Sequence, residues 1–200
     1  MRNGSEQASG ARPVLRHLPN LITTLRILLV VPLCWLIGTS RYGGALVVAA
    51  VAGLSDAIDG FLAKHYGWQS WLGGILDPIA DKLLLMAAFL WLALAGDVPA
   101  WLAALVIGRD LVIVGGAVAY YALIGRFEAA PTLLSKLTTL VQIVFVLGEL
   151  LRLSHLVAVP DALRAAATGV TALLTLASGA HYVAVWSARA WRTARERRSA

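Results

Sequence analysis

At 200 residues, 59% of them hydrophobic and only 14% charged, the chain carries more apolar surface than one soluble core of that size can hide. Its mean hydropathy of +0.75 excludes an ordinary water-soluble domain and sends the surplus to lipid. The net charge of +6 does not point to nucleic acid, because the basic residues gather near both ends, beside apolar segments, where an anionic membrane surface meets them.

Residues 1–20 are polar, with no charged-then-apolar start and no cleavage site, so they read as a cytoplasmic N-terminal segment and not a cleaved signal peptide. Leu15–Asn20 is expected to open a short interfacial stretch on the inner surface. Six apolar runs follow, each close to the ~20 residues that a membrane helix needs. They are Leu21–Gly38, Gly44–Ala63, Leu72–Ala95, Ala100–Ile124, Leu133–Leu153 and Ala162–Trp186. Gly43 with Gly44, Gly96 and Asp97 with Pro99, and Pro160 with Asp161 mark breaks between them. The expected fold is all-α: a polytopic membrane protein of six transmembrane helices in one membrane domain (residues 21–188), followed by a basic cytoplasmic tail (residues 189–200). Cys34 is the single cysteine, which excludes an intrachain disulfide, and its apolar setting predicts a small buried hydrophobe.

Arg2, Arg12, Arg16, Lys64, Arg126 and the arginines of the tail share one side, against mainly Arg41 and Arg152 on the other. The positive-inside rule then puts both termini in the cytoplasm, with the spans in the inner membrane. Trp68, Trp71, Trp186 and Trp191 are expected at the inner boundary and Trp35 and Trp101 at the outer one, as interfacial anchors. His17, His65, His155 and His181 show no shared spacing, which argues against a histidine site.

Four aspartates interrupt the second and third runs: Asp56, Asp59, Asp77 and Asp81. A lone charge in a membrane helix costs about 2.5–3.5 kcal/mol even on insertion scales, so such residues persist when paired, solvated or bound to metal. Residues three and four apart share a helix face, which places each pair on one side of its helix. With a turn near His65–Trp71, Asp59 and Asp77 stand about six residues, roughly 9 Å, up their helices. An antiparallel hairpin would therefore gather all four carboxylates at one depth near the cytoplasm. Such a cluster needs cations, and oxygen-only ligands suit a hard ion such as Mg²⁺, Mn²⁺ or Ca²⁺ rather than zinc. The bland alternative is ion pairing with Lys64, Lys82 and Arg109, which explains the charges but not their matched depth. Gly60 and Gly73 beside the aspartates would let a phosphate approach the backbone closely.

Asp56, Asp59, Gly60, Ala63, Gly73, Asp77 and Asp81 together resemble the signature of the CDP-alcohol phosphatidyltransferase family. Lys64 stands where that family usually has arginine, which keeps the charge and loses the bidentate fork. The resemblance extends to the six-helix layout, over about residues 18 to 186. It implies two divalent cations, with Asp56, Asp59 and Asp77 as principal ligands. It implies that Asp81 helps to bind metal and takes the proton of the attacking hydroxyl. Gly60, Ala63, Lys64 and Gly73 would line the CDP and phosphate pocket. The implied reaction moves a phosphatidyl group from CDP-diacylglycerol to an alcohol and releases CMP; members are commonly homodimers.

Leu18–Arg26 is similar to the opening helix of phosphatidylglycerophosphate synthases and of eukaryotic-type cardiolipin synthases. Gly108–Asp110 and Pro131–Thr138 look more like the cardiolipin branch, which makes phosphatidylglycerol the expected acceptor and glycerol 3-phosphate the alternative. Arg109 and Lys136 are the expected holders of the acceptor's phosphate, against a structural role in ion pairing with Asp110 or snorkelling. Two rival readings fit less well. Intramembrane aromatic prenyltransferases carry their paired aspartates on helices far apart in a longer chain. A small transporter or lipid-binding protein leaves the fixed intervals of Gly60, Ala63 and Gly73 without account.

Overall fold

A computed structural model describes the backbone of residues 18–66, 71–124 and 132–199, and the side chains of residues 23–55, 80–116 and 132–185. It contains six helices in chain order: α1 (Leu18–Gly38), α2 (Tyr42–Tyr66), α3 (Trp71–Leu94), α4 (Ala100–Ile124), α5 (Leu133–Leu153) and α6 (Asp161–Ser199). The apolar runs become helices within a few residues of their expected bounds. Two differences stand out. Residues 18–20 form the first turn of α1, and the Leu15–His17 part of the expected interfacial stretch lies outside the described residues. The tail continues α6 to Ser199, since its alanines and arginines are good helix formers and no breaker intervenes.

The turns follow from local chemistry. Ser40 adopts a left-handed φ of 57°, and Thr39 Oγ1 donates to the Trp35 carbonyl at 2.8 Å, so α1 reverses into α2 within three residues. Gly96, at φ 82°, makes the corresponding reversal after α3, where a side chain would be strained. The Pro99 and Pro160 carbonyls accept the first amides of α4 and α6, and Thr132 caps α5 by accepting from the Ser135 amide at 3.2 Å. Pro32 sits inside α1, where it removes one backbone donor.

Among the described residues the helices close into a ring. α1 packs on α2, α2 on α5, α5 on α6, α6 on α4, α4 on α3, and α3 back on α1. A lighter contact between α3 and α5 crosses the middle, where Phe89 and Phe145 stack with centroids 5.8 Å apart and planes 4° apart. Leu33, Ile37, Ala45, Ala88, Leu102 and Leu150 fill the interior around them. Gly38 is needed where α1 meets α3, because a Cβ there would come within 3.1 Å of the Trp91 ring.

α2 and α3 are consecutive, yet over the described residues they are not packed on each other; α1 lies between them. The expected hairpin is thus splayed in this part, and the small residues Ala45, Ala49 and Ala52 of α2 turn inward instead. The outer surface is apolar on every helix, with Leu28, Val31, Val47, Leu94, Leu111, Leu133 and Leu173 about half exposed or more. Trp35 and Trp101 also face outward, and the Arg41 guanidinium lies 5.3 Å from the Trp35 ring centre. Cys34 is half-buried on this face rather than buried. Among the described residues two helical stretches, Leu133–Leu153 and Asp161–Val185, are long and apolar enough to cross a membrane by length and composition.

Candidate active site

Asp56 and Asp59 fall within α2 and Asp77 and Asp81 within α3, so the helical spacing that puts each pair on one face is present in the backbone. The side chains of Asp56, Asp59, Gly60, Ala63, Lys64, Gly73 and Asp77 lie outside the described residues, as do Trp68, Trp71, Trp186 and Trp191. The site is therefore built from Asp81 and what surrounds it.

Asp81 stands one turn inside α3 from Asp77 and forms an ion pair with Arg26 of α1. Arg26 is the only charged residue of α1 and is 2% exposed, whereas Asp81 is 39% exposed. The guanidinium is thus fully withdrawn from solvent while the carboxylate keeps an open side. A buried arginine needs such a partner, since an unpaired charge at this depth is strongly unfavourable.

A second charged group lies alongside. Lys82 Nζ donates to Asp110 Oδ1 at 3.2 Å, and Arg109 Nη1 donates to the same oxygen at 2.6 Å. Arg109 Nη2 donates to Ser135 Oγ of α5 and Ser178 Oγ of α6, each at 2.6 Å. One guanidinium therefore ties α4, α5 and α6 together, and Asp110, almost wholly buried, is held between two cations.

These groups border a cavity of about 280 Å³ enclosed by α1, α2, α3, α4 and α5. Arg26, Asp81, Lys82 and Asp110 supply its polar part, and Ala49, Ala52, Leu84, Leu85, Ile143 and Leu147 are among its apolar walls. It occupies the space that α1 holds open between α2 and α3. A polar group near the aspartates continuing into an apolar channel is the shape needed to receive a phosphate with hydrocarbon behind it.

Of the residues expected to act, the structure brings Asp81 to this cavity and does not bring Arg109, whose Nη atoms are spent on Asp110 and the two serines. Lys136 is exposed on α5 and does not join that network. The alternative weighed for Arg109, pairing with Asp110, is what its geometry shows. Arg26, Ser135 and Ser178 were not expected to take part. Arg26 carried a signal, as the one charge in an otherwise apolar helix; the serines carried none.

Among the described residues no three metal-ligating side chains cluster, because three of the four aspartates lie outside them. The donor chemistry still fits a hard divalent cation: Asp81 presents a partly open carboxylate on a cavity wall, and among the described residues no soft ligand borders it.

A family model described as CDP-alcohol phosphatidyltransferase matches residues 16–188. A probable phosphatidylglycerophosphate synthase of Mycobacterium tuberculosis is 36% identical over 182 residues, covering 86% of this chain and 83% of that protein. Human cardiolipin synthase (CMP-forming) is 34% identical over 149 residues, 66% of this chain and 50% of its own length. A chloroplastic CDP-diacylglycerol–glycerol-3-phosphate 3-phosphatidyltransferase of Oryza sativa is 32% identical over 165 residues, 74% of this chain and 49% of that protein.

Proposed function

The chain belongs to the CDP-alcohol phosphatidyltransferase family, a class of transferases of phospholipid synthesis, and on that premise we propose that it moves the phosphatidyl group of CDP-diacylglycerol onto phosphatidylglycerol to form cardiolipin. The observation that carries this reading is the cavity beside Asp81, charged at Arg26, Lys82 and Asp110 and apolar beyond them. Both donor and acceptor are then lipids whose phosphates meet the charged part while their chains lie among alanines and leucines.

In the reaction the acceptor hydroxyl oxygen attacks the lipid-side phosphorus, the bond from that phosphorus to the CMP oxygen breaks, and CMP leaves. Asp81 takes the hydroxyl proton, with Arg26 fixing its carboxylate from α1. Two Mg²⁺ or Mn²⁺ ions, held by Asp56, Asp59, Asp77 and Asp81, supply neutralisation of the diphosphate charge when bound. Gly60, Ala63, Lys64 and Gly73 form the CDP pocket. Lys82, at the cavity, joins Lys136 as a holder of the acceptor's phosphate. Arg109 serves them from behind by fixing Asp110, which holds Lys82.

All six helices cross the inner membrane with both termini in the cytoplasm, and the protein works as a homodimer. The apolar outer faces support the crossings, and the excess of basic residues on one side supports the orientation. One observation favours a second acceptor, glycerol 3-phosphate. The phosphatidylglycerophosphate synthase relative matches over 83% of its length, whereas the cardiolipin synthase matches over half.

The test is CMP release by purified protein with CDP-diacylglycerol and Mg²⁺, run in parallel with each acceptor. Release with phosphatidylglycerol alone is expected. Release with glycerol 3-phosphate alone overturns the acceptor and keeps the reaction, while failure with both in folded protein that also fails to bind CDP-diacylglycerol overturns the reaction.

A further inference from the structure

α1 packs on both α2 and α3, the helices that carry the two aspartate pairs, and over the described residues those two do not pack on each other. Arg26 therefore reaches the aspartates from the helix wedged between theirs. It is the largest of the fully buried side chains among the described residues. Its Nη1 donates to Oδ1 of Asp81, and both side chains border the cavity of about 280 Å³ together with Lys82 and Asp110.

The two partners stand differently toward that cavity. Asp81 is 39% exposed, so a cation arriving there can reach the carboxylate. Arg26 is 2% exposed and has no water to retreat into. Moving its guanidinium off Asp81 would leave a charge among apolar helices, which is strongly unfavourable. The guanidinium therefore stays when a divalent cation binds, and the two share one carboxylate.

Sharing has two effects. The fixed positive charge repels the incoming one, in a setting that salt screens poorly, so the cation is held less tightly than by the carboxylate alone. The donor on Oδ1 also keeps the carboxylate from turning to grip the ion with both oxygens, which fixes its aim.

We propose that Arg26 is the fixed counter-ion of the cation site, a positioning residue that aims Asp81 and keeps the divalent cation loosely held. The inference rests on the assignment of that cation to the aspartates proposed above, and its test separates the two. A guanidinium that only tied α1 to α3 would have the opposite signature, since its loss would loosen the site and weaken the cation with it.

The test is Mn²⁺ binding, read by electron paramagnetic resonance on the full chain in detergent, without lipid substrate, in mildly alkaline buffer where carboxylates are ionised. Arg26→Gln keeps a donor for Oδ1 and drops the charge; Arg26→Met drops both; Arg26→Lys keeps the charge. Each variant is first shown by thermal unfolding to be folded, and glutamine, which retains a hydrogen bond to Asp81, is the one expected to be least disturbed. The two uncharged variants should bind Mn²⁺ about tenfold more tightly than the wild type while releasing CMP more slowly, so affinity and turnover move in opposite directions. Arg26→Lys should bind within about twofold of the wild type, because the charge stays. Unchanged or weaker Mn²⁺ binding in the folded uncharged variants overturns the proposal, as does Arg26→Lys tightening as they do. A wild type that binds no Mn²⁺ overturns the cation assignment itself, and the proposal with it.

Discussion

The two ends of this helix ring use buried charge in different ways. Near Asp81 the charged groups come from separate elements, Arg26 on α1, Asp81 and Lys82 on α3 and Asp110 on α4, and these four border a cavity, with Arg109 fixing Asp110 from behind. At the other end Glu149 and Arg152 are neighbours on one helix turn, joined by Arg164 across a short loop, and Tyr42 donates to Asp97 at 2.7 Å. The Glu149–Arg152 pair forms as soon as its helix does, whereas Arg26 and Asp81, fifty-five positions apart, are held together by the whole fold. Substitutions at the first end should therefore cut activity, with or without a loss of stability, and those at the second should touch stability alone.

The sharpest break comes from Asp81→Asn. Loss of a general base costs about 10²–10⁴ in rate, and CMP release should fall by that much. Asparagine keeps an acceptor for Arg26, so thermal unfolding should move little; wild-type release would remove Asp81 from the chemistry. Arg26→Met is expected to slow release by about 10–100-fold. Because the abandoned carboxylate is 39% exposed, the stability cost should stay near 1–2 kcal/mol, below the ~3–5 kcal/mol of a fully buried broken pair. A double-mutant cycle with Asp81→Asn checks that the two act as a unit.

Arg109→Lys loses the fork that spans Asp110, Ser135 and Ser178. It should cost about 2–3 kcal/mol in denaturation, as expected for a hydrogen-bonded buried charge, with a smaller fall in release. Full activity at unchanged stability would deny that this strut matters. The smallest effect is predicted for Tyr42→Phe, about 0.5–1 kcal/mol in unfolding for one partly buried hydrogen bond, and release within twofold. A larger kinetic effect there would erase the contrast between the two ends.

Much of this was readable from the chain. The six helices were legible because lipid demands long apolar runs, and glycine and proline punctuate them. The aspartates were legible because charge inside such a run is conspicuous. The ring order was not, since inner and outer helix faces are both apolar and hydropathy does not say which face meets which neighbour. For the same reason Arg26 could not be assigned to Asp81, fifty-five positions away. Arg109 was read as a holder of substrate because its serine partners sit on α5 and α6, helices whose placement only packing decides. The splay of α2 from α3 over the described residues went unforeseen because consecutive helices usually pack, and here α1 takes the place between them.

The ring also dictates an order of assembly during synthesis. α2, α1, α3 and α4 form an unbroken run of neighbours in which each new helix finds a partner already made. α5 and α6 close the circle, touching α2 on one side and α4 on the other. Until that last pair arrives, Arg109 has neither Ser135 nor Ser178, and the charged layer around Asp110 stays half-built inside the nascent bundle. A chain arrested after α4 is thus a natural substrate for membrane quality control, recognisable by a cation whose partners have not yet been translated.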